Sequence, residues 1–286
     1  MLSNKVSEVM TTHLTQAPST ASIFEVMQTM VAQDVGRIMI TDDDVPVGIF
    51  TEKDVLRRVI HANIDIRNTG IKSVMTAPVH AVREETHIID AFSQMYRGKY
   101  RHLLVRGRRG KIIGIVSMRR ILNLAVELGQ GASETRTLGD IALSPIVSVQ
   151  HSATVRGTIA LMIDQNSGAV IVAAGNQPVG IFTERDVLKR VATKELNLAE
   201  TPIEQVMTAP LISMPRAALV GDVLAEMYRR DIRNMVVSGA PNELLGLVAM
   251  PEILQYAHAF NIDEQVRRSW QEVAQLLDTE DQYTPG

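Results

Sequence analysis

Two short segments hold residues whose types and spacing could do chemistry. Thr51-Glu52-Lys53-Asp54 and Thr183-Glu184-Arg185-Asp186 each place a hydroxyl, a carboxylate three residues on and a cation between them. At the start of a helix this spacing has two readings. In the first it is a variant capping box, whose usual last member is Glu or Gln, and its side chains satisfy free backbone N–H groups. In the second the same N–H groups and the positive end of the helix dipole receive a phosphate. Thr would then add a hydroxyl donor, Lys53 or Arg185 a nearby positive charge, and Asp54 or Asp186 would accept both hydroxyls of a ribose. The readings are compatible, because one Thr can cap while its site binds.

Either reading requires a strand that gives way to a helix, and the chain repeats that junction. Gly48, Gly114, Gly180 and Gly246 each open an apolar stretch that runs into a helical pattern, at a constant spacing of 66 residues. VGIFTEKDVLRRVI (47–60) and VGIFTERDVLKRVA (179–192) are identical at 11 of 14 positions, and VMTAP recurs at 74–78 and 206–210. The chain is therefore a duplicated pair, A-B-A′-B′. Each copy reads β-α-β-β-α. Short apolar stretches at 78–82 and 145–149 are predicted strands, followed by amphipathic helices such as that with Ile23, Phe24, Met27, Met30 and Val31, capped by Ser19 or Thr20. Aliphatic strands at 37–41, 102–105, 169–172 and 234–237 then turn tightly into the Gly-initiated strand. Units of about 60 residues bury a smaller fraction of their surface than larger domains and gain by pairing, which leaves a cleft between partners. The predicted units are 1–64, 65–128, 133–196 and 197–260, with a linker around 129–137 and a helical tail over 261–286.

Composition narrows the function classes. The chain has 286 residues, 45% of them apolar and 21% charged, with a net charge of −3. It has no cysteine, which removes disulfides, thiolate metal sites and Cys nucleophiles. The seven histidines show no HxH or HExxH spacing, so no metal is predicted. No signal-peptide core or membrane-length apolar run is present, and a cytoplasmic location with no membrane contact is expected. There is no G-x-S-x-G motif and no Walker-type glycine loop, so no enzymatic activity is expected. Residues 1–130 hold 17 Lys and Arg against 13 Asp and Glu, and the remainder 12 against 19. The basic turn Arg106-Gly107-Arg108-Arg109-Gly110-Lys111 is the one feature suited to nucleic acid, but 4% aromatics give few stacking platforms.

The four repeats resemble cystathionine-β-synthase-type (CBS) domains in two tandem pairs, called Bateman modules, over roughly residues 1–260. Four-copy proteins of that kind include the gamma subunits of AMP-activated kinases. The resemblance implies an α/β (α+β) fold of four β-α-β-β-α repeats in a disc-like body. It also implies adenine-nucleotide ligands (AMP, ADP or ATP) whose ribose and phosphate meet the pattern Gly-h-h-[Thr/Ser]-x-x-Asp. Residue by residue, Thr51 and Asp54 in unit one and Thr183 and Asp186 in unit three complete the pattern. Unit two has Ser117 but Arg120 in place of the acid, and guanidinium has no acceptor. Unit four has Ala249, Pro251 and Glu252, a weakened site. One site per module is therefore expected. The family draws phosphate contacts from residues before the middle strand. Arg101 and His102 in module one and Arg233 in module two are the corresponding residues, each expected to serve its own pair. Met75 and Met207 fall where the family lines the base pocket. The more cationic first module should favour the more phosphorylated ligand. A regulatory sensor of adenine nucleotides follows, read by an effector protein by linkage, with a homodimer left open. The alternatives are a ligand-free interaction scaffold and a nucleic-acid-binding protein, the latter disfavoured.

Overall fold

The computed structural model describes residues 5–98, 100–118, 120–121, 137–194, 196–240, 243–249 and 253. It holds four three-stranded sheets, one per unit. In unit one these are β1 (Gln16–Pro18), β2 (Arg37–Asp42) and β3 (Val45–Thr51). Unit two has β4 (Ala81–Arg83), β5 (His102–Arg106) and β6 (Ile112–Ser117), and unit three β7 (Ser148–Gln150), β8 (Ala169–Ala174) and β9 (Gln177–Thr183). Unit four has β10 (Ser213–Pro215), β11 (Asn234–Ser238) and β12 (Leu244–Ala249). In every sheet the first two strands are parallel across a ten-residue helix, and the last two form an antiparallel hairpin. The hairpin of unit one turns on Asp43 and Asp44, at φ 45° and 63°. Two positive-φ residues in a row are what a twist-matched two-residue turn needs.

The first strands of units two and three start later than the apolar runs at 78–82 and 145–149 suggest, at Ala81 and Ser148. The first helix, Ile23–Ala32, is capped by Ser22, which accepts from Glu25 N at 3.3 Å while Glu25 returns a bond to Ser22 N at 2.8 Å. Ser19 and Thr20 are not the cap. Ser19 donates to Asp42 instead. The reciprocal Ser-x-x-Glu bonds satisfy two free donors at once, which no other Ser or Thr in that stretch can do.

Both faces of each middle strand are buried, which explains why these strands read as continuous apolar runs. Ile38 and Ile40 point to the helices, whereas Met39 between them packs on Leu104 and Ile115 of unit two. Ile171, Val236 and Leu247 do the same for units three and four. Sheet faces thus close each pair. The helical faces join the pairs: Met27, Met30, Leu56 and Val59 of unit one share a core with Met162, Leu188 and Val191 of unit three. Phe92 and Met95 of unit two pack likewise with Leu224 and Met227 of unit four.

The segment that leads into each unit lies on the other member of its pair. Residues 5–11, with a short helix over Val6–Val9, bridge to His87 and Ile115 of unit two. Residues 70–76 bridge back to Ser22 and Ile49 of unit one. In the second pair Thr137 and Ser144 bridge to Leu219 and Leu247, and Pro202 and Thr208 to Thr154 and Ile181. The predicted tail over 261–286 and nearly all of the predicted linker lie outside the described residues.

Candidate functional site

Strands β3 and β9 end at Thr51 and Thr183, and in both units the next three residues begin a helix. Each Thr is the cap. Thr51 N and Oγ1 donate to Asp54 Oδ2 at 3.0 and 2.6 Å, and Asp54 N returns a bond to Oγ1 at 3.4 Å. The same three contacts in unit three measure 2.9, 2.7 and 3.4 Å. The capping reading therefore holds at both junctions, as a box closed by Asp. Continuing the helix, residues 55–60 and 187–192 adopt the wider π form.

The other carboxylate oxygen faces the pair's crossing segment. Asp54 Oδ1 accepts from Thr76 Oγ1 at 3.3 Å and lies 3.4 Å from Arg58 Nε. Asp186 Oδ1 accepts from Thr208 at 2.7 Å and lies 3.4 Å from Arg190 Nε. Arg58 also donates to the carbonyls of Val74 and Met75, and Arg190 to that of Met207. Thr76, Thr208, Arg58 and Arg190 are thus part of each site, although the sequence reading passed over them. Their signal was the VMTAP repeat, which holds the two threonines. Both aspartates are largely buried, each only 7% exposed.

Met75 and Met207 lie directly over the strand glycines. A Cβ on Gly48 would stand 2.3 Å from Met75 Sδ, and one on Gly180 2.6 Å from Met207 Sδ and 2.8 Å from the carbonyl of Thr208. Glycine is needed here for close approach. Met10 covers Gly114 and Leu143 covers Gly246 in the same way, so the crossing segment roofs all four junctions. In unit two Ser117 Oγ caps Arg120 N at 3.1 Å. Pro251 and Glu252 of unit four lie outside the described residues.

The cations do not serve the sites as pairing alone suggests. Arg233 of unit four meets Glu52 of unit one with both terminal guanidinium nitrogens, one of them at 3.4 Å. Arg101 of unit two lies 3.5 Å from Glu184 of unit three. Each arginine thus crosses to the opposite module, because the shared helical cores bring the starts of the middle strands together at the centre. Gly36 and Gly168 hold the matching positions in units one and three, and a Cβ on Gly36 would be 2.8 Å from Glu52 Oε1. His102 lies among Arg37, Arg101 and Arg233. Burial first, then those three charges, hold it well below the usual imidazole value, so it is a neutral ring at neutral pH. Burial, then Arg101 and Arg57, also lowers Lys53 from the ordinary lysine value. Arg185 pairs with Asp34 at 3.2 Å and with Asp231.

Among the described residues no group of three or more His, Asp or Glu is placed to hold a metal ion, and no helix is long and apolar enough to cross a membrane. The basic turn at 106–111 turns one of its arginines back on the protein, Arg108 lying 3.6 Å from both Glu84 and Glu85.

A family model described as the CBS domain matches this chain four times, over residues 6–61, 71–127, 138–193 and 203–259. CBS domain-containing protein CBSCBSPB1 of Arabidopsis thaliana is 25% identical over 284 residues, covering 85% of this chain. The chain spans only about half of that plant relative, 51% of its length. Among solved structures, a Methanocaldococcus jannaschii protein proposed as an archaeal homolog of g-AMPK superposes with a TM-score of 0.74. It is 16% identical, covering 88% of this chain and 99% of its own. An uncharacterized conserved protein of Pyrococcus horikoshii superposes at 0.59, with 18% identity over 88% of this chain and 98% of its own. At such identities the likeness establishes the fold.

Proposed function

Since the chain belongs to the CBS domain family, with four copies arranged as two Bateman modules, we propose that it is a non-enzymatic regulatory protein that binds an adenine nucleotide. The ligand sits at the Thr51–Asp54 and Thr183–Asp186 junctions, and an effector protein reads the occupied state. One observation carries this reading. The same carboxylate recurs at the start of a helix in units one and three, with one oxygen fixed by its own Thr and the other turned to the crossing segment. A carboxylate has about four acceptor positions. The contacts on Asp54 Oδ1, at 3.3 and 3.4 Å, are long enough to yield to a pair of ribose hydroxyls. The roof residues Met75 and Met207 supply a polarizable apolar surface for a base.

The alternative of a ligand-free scaffold draws on one contact. Thr208 already holds Asp186 Oδ1 at 2.7 Å, a full-strength bond that a ligand would have to replace. Thermal melts separate the two. An adenine nucleotide at 100 times its dissociation constant adds about 2.7 kcal/mol to the folded state. For a chain of this size that raises the midpoint by roughly 5–10 °C. AMP, ADP, ATP and S-adenosylmethionine are the panel, on wild type, Asp54→Ala and Asp186→Ala. The expected result is a shift with at least one ligand, cut by each substitution. No shift with any of them, at millimolar ligand, refutes the binding reading and leaves the scaffold.

A further inference from the structure

Units one and three differ in the charges that surround their corresponding sites. Arg185 and Lys189, one turn apart, face two acids from other units. Asp34 of unit one takes both cations, and Asp231 of unit four takes Arg185 a second time. Lys53 and Arg57 are the corresponding cations of unit one, and there the residue that matches Asp34 is Asn166. It accepts from Arg57 but carries no charge. Lys53 is exposed and makes no hydrogen bond or ion pair among the described residues. The Nε of Arg57 is buried without a hydrogen-bond partner. So the cations beside Asp186 are matched one for one, while those beside Asp54 are not.

We propose that the two sites select ligands by charge, and that Asp34 and Asp231 set the difference by holding Arg185. This rests on the binding reading above. The Asp54 site takes a polyanionic adenine nucleotide, a di- or triphosphate, whose phosphates supply the paired negative charge that no carboxylate gives Lys53 or Arg57 among the described residues. The Asp186 site takes an adenosyl ligand with little negative charge, because a phosphate there must compete with two carboxylates already on Arg185. Those carboxylates belong to units one and four, so the third unit's specificity is written in residues outside it. The lowered lysine value of Lys53 agrees, since partial desolvation and the nearby Arg101 and Arg57 together outweigh the favourable charges of Glu184 and Asp54.

Calorimetry with adenosine, AMP and ATP tests this on three proteins. Asp186→Ala keeps the first site, Asp54→Ala keeps the third, and Asp54→Ala with Asp34→Asn and Asp231→Asn frees Arg185. Asn suits both places, since Asp34 and Asp231 have φ of 51° and 56° and Asn166 already adopts 47°. The first site should bind ATP roughly tenfold or more tighter than adenosine, as expected for added charge-assisted bonds. The third should show no such rise until the two Asn substitutions confer it. A third site that favours ATP as steeply with its aspartates intact, or one unchanged by their loss, overturns the proposal. Inorganic tripolyphosphate needs no ribose and separates this from the nucleoside reading. It should bind wild type, weaken roughly tenfold in Lys53→Gln, and gain a second equivalent in Asp34→Asn/Asp231→Asn that Arg185→Gln removes. If tripolyphosphate follows that pattern while no adenine ligand binds, the nucleoside reading fails and the charge asymmetry stands. If its binding ignores Lys53, the asymmetry fails.

Discussion

Replacing Arg233 by Ala should cost far more stability than replacing Arg101, although both immediately precede the middle strand of corresponding units and both cross to the opposite module. Glu52 has a side chain only 3% exposed, and Arg233 meets it with two nitrogens. Its backbone N–H is tied to Gly36 at 3.1 Å, so the carboxylate has little freedom to swing out to water. Removing one member of a buried pair leaves an uncompensated charge, at about 3–5 kcal/mol. Arg233 is itself one-third exposed, at 34%, so its loss lets some water in, and the low end of that range applies. Glu184 is more open, at 13%, and meets Arg101 once at 3.5 Å, with Arg101 47% exposed. Such a pair contributes about 0–1 kcal/mol. At roughly 2–4 °C per kcal/mol, Arg233→Ala should lower the thermal midpoint by about 6–12 °C and Arg101→Ala by no more than about 4 °C. Adding Glu52→Gln to Arg233→Ala should recover part of the loss, because the stranded charge is gone. Equal losses for the two arginines, or no recovery with Gln, would show that the buried pair does not hold the modules together.

Two further outcomes follow from the same geometry. Gly180→Ala should lower the denaturation midpoint by the equivalent of about 1–3 kcal/mol, an overpacking cost, because the new Cβ meets the Thr208 carbonyl at 2.8 Å as well as Met207. Gly48→Ala should cost less, since its nearest atoms all belong to the flexible Met75 side chain; a larger loss for Gly48→Ala in parallel melts would contradict the difference. For His102 the folded value lies below that of the unfolded chain, so the unfolded state takes up the proton first and stability falls as pH drops below about 6.5. His102→Asn, which copies the matching Asn234, should flatten that acid-side fall by up to about 1.4 kcal/mol per pH unit. Midpoints measured between pH 7 and 5 check it, and parallel curves for the two proteins would refute it.

The parts of the fold that depend on neighbours in sequence were legible. The four hairpins and the caps at Thr51 and Thr183 are local, and turn and capping chemistry reveal them, while the 66-residue spacing shows directly in the repeated sequence. What pairing decides was less so. The crossing segments at 5–11 and 70–76 carry no mark of which unit they will cover, because an apolar residue followed by Thr packs equally well on either glycine strand. The destinations of Arg101 and Arg233 were hidden for the same reason: a strand start at the molecular centre has partners in four units, and only the shared helical cores select among them. The choice of Ser22 over Ser19 turned on a side chain three residues on, Glu25, that completes the reciprocal bonds.

That central convergence gives a ligand something to act on. Asp54 Oδ1 is shared between the helix of unit one and Thr76 on the segment leading into unit two, and Arg58 holds the same segment by two carbonyls. A hydroxyl that takes Oδ1 must loosen or replace the Thr76 contact, so occupancy alters the grip between the members of a pair. The cations on the same helix reach the other module, Arg57 to Asn166 and, in the sister unit, Lys189 to Asp34. An anion drawn to Lys53 and Arg57 therefore bears on the contact between modules. Ribose and phosphate would thus be read at different interfaces, the sugar within a pair and the charge between pairs. A ligand can shift an arrangement only by its differential contacts with the alternatives, and under the proposed binding the two halves of one nucleotide would supply separate ones.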